Sequence, residues 1–366
     1  MSTSARARAD ACPGVFATHD AADGPLARVR LPGGAVTSAQ LTALADAADD
    51  LGDGALHLTS RGNVQLRGVL RPGLATRLSA AGLLPAPSHE RVRNILASPL
   101  SGIAQGLAQA LDKALCAVPE LAELPGRFLF AFDGGSGDVA GEGADVCWRD
   151  GALLLDGTDT GLRISEEHAV EALLSVARTF LRIRGTAWRV GELPDPEPLL
   201  RGISGETVKP QAFDTKTGLP IGPIGDHAIG VAPVFGRLTS AQARVIAKAG
   251  NAVVTPWRSI LVLGKLDRDV GLVVDPSASS LGVSACIGRP GCAKSRADVR
   301  ADAARIGRTP RVHVSGCERR CGKPAQEHVD VLAAEDGYLV DGTWFPAGDL
   351  AKALAAKDSA EVKGHQ

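Results

Sequence analysis

Apolar and polar positions follow a helical period in some stretches and a period of two in others, and one such arrangement occurs twice. After Thr37-Ser38-Ala39-Gln40, the residues Leu41, Leu44, Ala45, Ala48 and Leu51 form one stripe, and Gly52 follows as a stop. After Thr239-Ser240-Ala241-Gln242, the stripe returns as Val245, Ile246 and Ala249, with Gly250 as the stop. In both copies the Thr and the Gln three residues on have the spacing of a capping box, in which side chain and backbone satisfy each other's unpaired groups. Each helix leads into a strand through a Thr, over 55–69 by way of Thr59 and over 252–264 by way of Thr255. Cap, stripe, stop and strand in the same order predict an internal duplication.

The intervening region begins at Arg91-Val92-Arg93-Asn94. It predicts a helix with the stripe Ile103, Leu107, Leu111, Ala114, Leu115 and Val118, then strands over 128–133, 145–148 and 152–156. Asp150-Gly151 sits where a two-residue hairpin needs positive φ. Ser165 caps a further helix carrying Val170, Leu173, Leu174, Ala177 and Leu181. The stretch 191–226 is rich in Pro and Gly without periodicity and reads as a linker. A short helix over 297–306, a strand over 311–315 and a strand-and-helix tail close the chain.

Composition narrows the function without naming it. Of 366 residues, 45% are apolar and 22% charged, and 40 Lys and Arg balance 41 Asp and Glu, which excludes a general nucleic-acid binder or a polybasic membrane-surface protein. No apolar run is long enough for a bilayer span, and no apolar segment follows the N-terminal arginines, so the expected location is the cytoplasm. Gly135-Ser136-Gly137-Asp138-Val139-Ala140 imitates a dinucleotide fingerprint, but a hairpin rather than a helix follows it, so it reads as a loop.

Four of the 7 cysteines fall together as Cys286-x5-Cys292 and Cys317-x3-Cys321. This is not the spacing of a zinc knuckle, whereas four thiolates in Gly- and Pro-bearing loops suit an iron–sulfur cluster. Zinc and unligated buried thiols remain as alternatives. Cys12, Cys116 and Cys147 have no such spacing and read as small buried side chains. On the first duplicated strand, His57, Thr59, Arg61, Asn63, Gln65 and Arg67 share one face, and Leu56, Leu58, Val64 and Leu66 share the other. The polar face is either solvated sheet surface or a set of donors for carboxylates, which arginine grips as a fork.

These residues together resemble the nitrite/sulfite reductase family: the cysteine pairs, Arg28-Val29-Arg30-Leu31-Pro32-Gly33-Gly34, Thr59-Ser60-Arg61-Gly62-Asn63-Val64-Gln65, and the duplication. Within it, the segments Ser284–Ala293 and Val312–Cys317 and the region from Leu124 to Phe128 are most similar to the precorrin-3B synthase branch. The resemblance implies an α+β, nitrite/sulfite reductase-like fold with two pseudo-symmetric halves, each a ferredoxin-like half-repeat plus an α/β domain. The expected division is 1–85 for the first half-repeat and 86–200 for an α/β domain without cluster ligands. A linker and the second half-repeat would follow over 201–270, and a [4Fe-4S]-binding α/β domain over 271–366.

The resemblance further implies that Cys286, Cys292, Cys317 and Cys321 hold a [4Fe-4S] cluster. Arg30, Arg61, Asn63, Gln65, Arg93, Asn94, Arg127 and Arg319 would contact an acidic tetrapyrrole, precorrin-3A. Dioxygen and an external electron donor, such as a ferredoxin or an NAD(P)H-dependent reductase, would complete the oxygenase reaction that yields precorrin-3B. The branch is also associated with a mononuclear non-haem iron, for which His57, His89, His313 and His328 are candidates without diagnostic spacing. Reductases of the family carry two alternating lysines for a small anion where this chain has Arg127 and Leu129. A sirohaem-dependent sulfite or nitrite reductase is the alternative reading.

Overall fold

The computed structural model describes residues 12–216, 218, 221–266, 270–307, 311–324 and 326–355. Both capping boxes are present: Thr37 Oγ1 accepts from Gln40 N and Thr239 Oγ1 from Gln242 N, each at 3.2 Å, and they open the helices Ser38–Leu51 and Ser240–Ala249. The two helices pack on one another, and Arg244 Nη2 ties them through Asp46 at 2.7 Å and Asp49 at 2.8 Å. Their apolar stripes enter a single core shared by both halves, including Leu41, Leu44, Ala243 and Ile246.

Each helix covers a five-stranded antiparallel sheet. The first runs His19–Ala21, Gly24–Val29, Val64–Arg67, Ala55–Leu58, Arg237–Thr239, and the second Gly222–Ile224, Ala228–Val231, Ile260–Leu263, Asn251–Val254, Ala35–Val36. The last strand of each sheet comes from the opposite half, with Leu238 against Leu56 and Val36 against Ala252. Nothing in the local sequence pattern announces this exchange.

The single strands expected over 55–69 and 252–264 are hairpins. Thr59 N donates to Asn63 O at 2.9 Å and Thr255 N to Ser259 O at 3.0 Å, closing equivalent five-residue turns. The polar alternation survives because His57 pairs with Gln65 across the hairpin, so odd positions face odd positions.

The two remaining sheets share one strand order over five strands, and the first has a sixth. In the first α/β unit, Ile95–Ala97, Phe130–Asp133 and Val146–Arg149 are parallel, followed by antiparallel Ala152–Leu155, Thr158–Arg163 and Glu206–Thr207. Asp150 and Gly151, with φ of 43° and 91°, form the expected turn. In the second unit, Val283–Ala285, Val312–Ser315 and Val329–Ala334 are parallel, followed by antiparallel Gly337–Val340 and Thr343–Pro346. The helix expected over 297–306 is shorter, Val299–Ala303.

The stretch from 191 to 216 is not a free linker. Leu199 is in the core of the first α/β unit, Glu206–Thr207 extends its sheet, and Phe213 packs beneath Arg149. The boundary expected at 200 therefore falls inside this unit.

Candidate functional site

The cysteines sit at the C-terminal ends of two neighbouring parallel strands, the usual place for a ligand in such a sheet. Cys286 follows Val283–Ala285, and Cys317 follows Val312–Ser315 after Gly316. The 287–296 loop folds back onto that end, where Arg296 N donates to Gly316 O at 2.9 Å. A side chain at Gly316 would overlap Ser295, so only glycine lets the loop lie there. Gly316 N donates to Cys286 Sγ at 3.2 Å, and Arg300 Nε holds the Cys286 carbonyl at 3.1 Å. Burial pushes the Cys286 thiol up, and Cys321 and Cys317 push it the same way, against the backbone donors of Gly316 and Gly288.

All four cysteines line one cavity of about 650 Å³. Its opposite wall is the polar face of the first sheet, where Arg28, Gln65 and Arg67 stand on adjacent strands and Arg61 projects from the hairpin turn. Arg127, Lys294 and Arg319 rim it. The distal part of the odd-numbered polar face, Arg61, Gln65 and Arg67, thus lines a partly open cavity rather than a flat solvated surface.

The cations differ in how far they are already committed. Arg67 is paired with Asp23. With the Gln65 amide turned so that its oxygen faces Arg28, it accepts from Arg28 Nε at 3.1 Å and Nη2 at 2.6 Å. The Arg127 guanidinium lies 5.5 Å from the centre of the Trp188 ring, a cation–π distance. Arg61 has no side-chain hydrogen-bond or ion-pair partner among the described residues. Burial first, then the nearby Arg189, lowers its pKa to about 10, so it stays charged at neutral pH.

Four of the expected substrate contacts are engaged elsewhere and do not line the chamber. Arg93 is clamped to Asp112 at 2.6 and 2.7 Å and donates to Leu83 O at 3.2 Å. Arg30 is buried, donating to Pro13 O at 3.3 Å and Arg91 O at 3.2 Å, and burial lowers its pKa to about 9. Asn63 accepts from Leu31 N at 2.8 Å, and Asn94 donates to Gly126 O at 2.9 Å. These side chains knit the first sheet to the first α/β unit. Arg61, Gln65, Arg127 and Arg319 are the expected contacts that the fold brings to the cavity.

Sequence reasoning overlooked Arg28, Lys294 and Trp188 as lining residues of the cavity. Cys12, read as a small buried residue, is half-buried in the cavity wall.

The histidines divide similarly. His57 Nε2 pairs with Asp53 at 2.8 Å, and His89 Nε2 lies 3.0 Å from Val118 O. His313 and His328 meet edge to face with ring centres 6.2 Å apart. Beside the cysteine loop, His328 Nε2 and Asp330 Oδ1 are buried without hydrogen-bond partners among the described residues. Among the described residues, no three His, Cys, Asp or Glu side chains converge to the spacing of a single bound ion. The four cysteines instead surround a shared space.

Comparison with known proteins agrees with this architecture. Residues 19–75 match the nitrite/sulfite reductase ferredoxin-like half domain. The chain is 28% identical to a precorrin-3B synthase from Sinorhizobium sp, covering 92% of this chain and 83% of that protein. It is 25% identical to a ferredoxin–nitrite reductase from Synechococcus elongatus, covering 87% and 78%. Among solved structures, the Mycobacterium tuberculosis NirA protein superimposes with a TM-score of 0.68 at 19% identity, over 90% of this chain and 79% of that one. The fold is nitrite/sulfite reductase-like, with ferredoxin-like half domains. Among the described residues no helix is long and apolar enough to cross a membrane.

Proposed function

We propose that this chain is an iron–sulfur oxygenase acting on an acidic tetrapyrrole, of the precorrin-3B synthase type. The observation that carries the proposal is the half-buried Arg61 guanidinium, without a side-chain partner among the described residues, which lines the same cavity of about 650 Å³ as four cysteines. A buried cation without a counter-charge is costly unless a ligand supplies the anion. A macrocycle with carboxylate arms offers several anions on one rigid frame.

The residues fit a [4Fe-4S] cluster: four thiols share one chamber, and a backbone N–H already donates to one of the sulfurs. Cys286, Cys292, Cys317 and Cys321 would hold it, and when bound it supplies electrons singly, as activation of dioxygen requires. Arg61 binds one carboxylate arm as a fork, and Arg28, Arg67 and Arg127 offer further donors around the wall. Their fixed spacing orients the ring, so that one meso carbon rather than any of four faces the reaction. One oxygen atom enters the product. The other leaves as water, with two electrons and two protons from an external donor. Leu129 is buried and apolar and offers no charge to a small inorganic anion, which favours the oxygenase over the reductase reading.

Anaerobically purified and reconstituted protein should contain four iron and four sulfide per chain, with broad visible absorption and no intense Soret band. Given precorrin-3A, dioxygen and a reducing system, it should form a product heavier by one oxygen atom. A Soret band with sulfite or nitrite turnover would replace this reading by a sirohaem-dependent reductase. An iron count above four would point to a second, mononuclear iron, for which no three His, Cys, Asp or Glu side chains among the described residues are already gathered.

A further inference from the structure

The second hairpin turns at Arg258, whose φ of 58° lies in the left-handed region that suits glycine. The first hairpin has Gly62 there, with φ of 62°. The two turns are otherwise alike: Asn63 N donates to Thr59 Oγ1 at 3.1 Å, and Ser259 N to Thr255 Oγ1 at 3.3 Å. The second half therefore keeps an arginine at a position whose backbone calls for no side chain.

That side chain has a defined course. Its stem runs along Gly236, where a β-carbon would come within 3.1 Å of Arg258 Cδ and 3.3 Å of its Cβ. At its end, Arg258 Nη2 donates to Gly322 O at 3.1 Å. Gly322 directly follows Cys321. Arg258 has no carboxylate partner among the described residues, and burial alone lowers its pKa. Arg320 in the same cysteine loop differs: its guanidinium is held by Asp330 and Glu318, both at 2.8 Å. The loop is thus fastened by Arg320 to its own unit and by Arg258 to the second ferredoxin-like sheet.

We infer that Arg258 is a positioning residue that clamps the Cys321–Gly322 corner from the second ferredoxin-like half and places an uncompensated positive charge beside whatever the cysteines hold. The inference rests on the cluster reading above. The hydrogen bond limits movement of Cys321, and the charge favours the more negative, reduced state of a neighbouring cluster. The two contributions are separable.

Arg258→Gly removes the side chain and gives the turn the residue used in the first hairpin, so the fold is expected to persist, as checked by circular dichroism and the thermal midpoint. Reconstituted Arg258→Gly protein should show a lower cluster midpoint potential in a redox titration followed by electron paramagnetic resonance. It should also bleach several-fold faster in an iron chelator. Arg258→Lys should restore most of the potential, because the charge returns. It should not restore resistance to the chelator, because the planar donor is lost. A variant that folds, carries a cluster and matches wild type in both readouts overturns the clamp alone. Wild-type protein that assembles no iron–sulfur cluster overturns the cluster reading and the clamp with it.

Discussion

Ser98 and Cys286 occupy equivalent places at the ends of equivalent strands in the two α/β units, and each accepts a hydrogen bond from an equivalent glycine. Gly134 N donates to Ser98 Oγ at 3.0 Å, and Gly316 N donates to Cys286 Sγ at 3.2 Å. Beyond this point the units part. In the first, the Asp133 carboxylate is fully buried and accepts from the backbone N–H groups of Gly135, Gly137, Val139 and Ala140 at 2.9 to 3.1 Å. In the second, the same register position is Ser315, whose buried hydroxyl has no partner among the described residues. One loop fills its nest of donors with its own anion and is complete. The other has no such internal carboxylate and presents the Cys286 and Cys317 thiols toward the cavity. A duplicated fold thus carries two different loop chemistries at one topological position, a self-satisfied carboxylate and a pair of thiols, and on the proposed reading only the second binds a ligand.

The sharpest way to break this contrast is at the thiols. Cys286→Ser should abolish cluster assembly and oxygen insertion while leaving the fold intact, measured by iron and sulfide analysis, product mass and circular dichroism. Oxygen insertion at the wild-type rate in the cluster-free variant would overturn the mechanism. Next in size is the self-filled loop. Asp133→Asn sets an amide against four N–H donors and should lower stability by about 3 kcal/mol in urea unfolding. The folded fraction should keep its iron, since the cysteine loop does not depend on Asp133.

A smaller effect separates the two hairpin tips. Arg61→Ala should weaken tetrapyrrole binding by about 2 kcal/mol, or roughly 30-fold in KM. The equivalent Trp257→Ala should change KM by less than about 3-fold, because Trp257 Nε1 donates to Glu142 rather than facing the chamber. Equal losses would mean that the substrate spans both tips.

The smallest effect concerns pH. His57, chiefly through burial, titrates below its ordinary value in the fold. The unfolded chain therefore takes up this proton first as pH falls below about 6.5. Its contribution to stability is present above that pH and is lost as pH drops through the lower folded value. His57→Gln should flatten this part of the stability curve, read by chemical denaturation between neutral and mildly acidic pH. The second half carries Val253 at this position and has no such dependence there.

The duplication was legible because capping chemistry is local. A Thr and a Gln three residues apart satisfy each other whatever lies beyond them, and both boxes formed. The polar face was legible for a similar reason, since alternation persists through a hairpin with matched parity even where the turn itself went unseen. Arg93 and Arg30 are engaged away from the cavity, which parity and motif could not show, because they place a side chain on a face but do not reveal a competing partner. Asp112 lies on a helix of the first α/β unit, and the carbonyls that hold Arg30 come from distant turns. The exchanged strands left no mark because Ala35–Val36 and Arg237–Thr239 are too short to carry a pattern. Arg258 escaped notice because a left-handed arginine looks ordinary in one dimension.

The reciprocal end strands have a mechanical consequence. Bending one half against the other would tear two ladders at once and bare an unpaired edge on each sheet. The molecule is therefore stitched rather than hinged. A bulky guest would enter by the swing of rim side chains such as Arg127 and Lys294, not by the opening of a jaw.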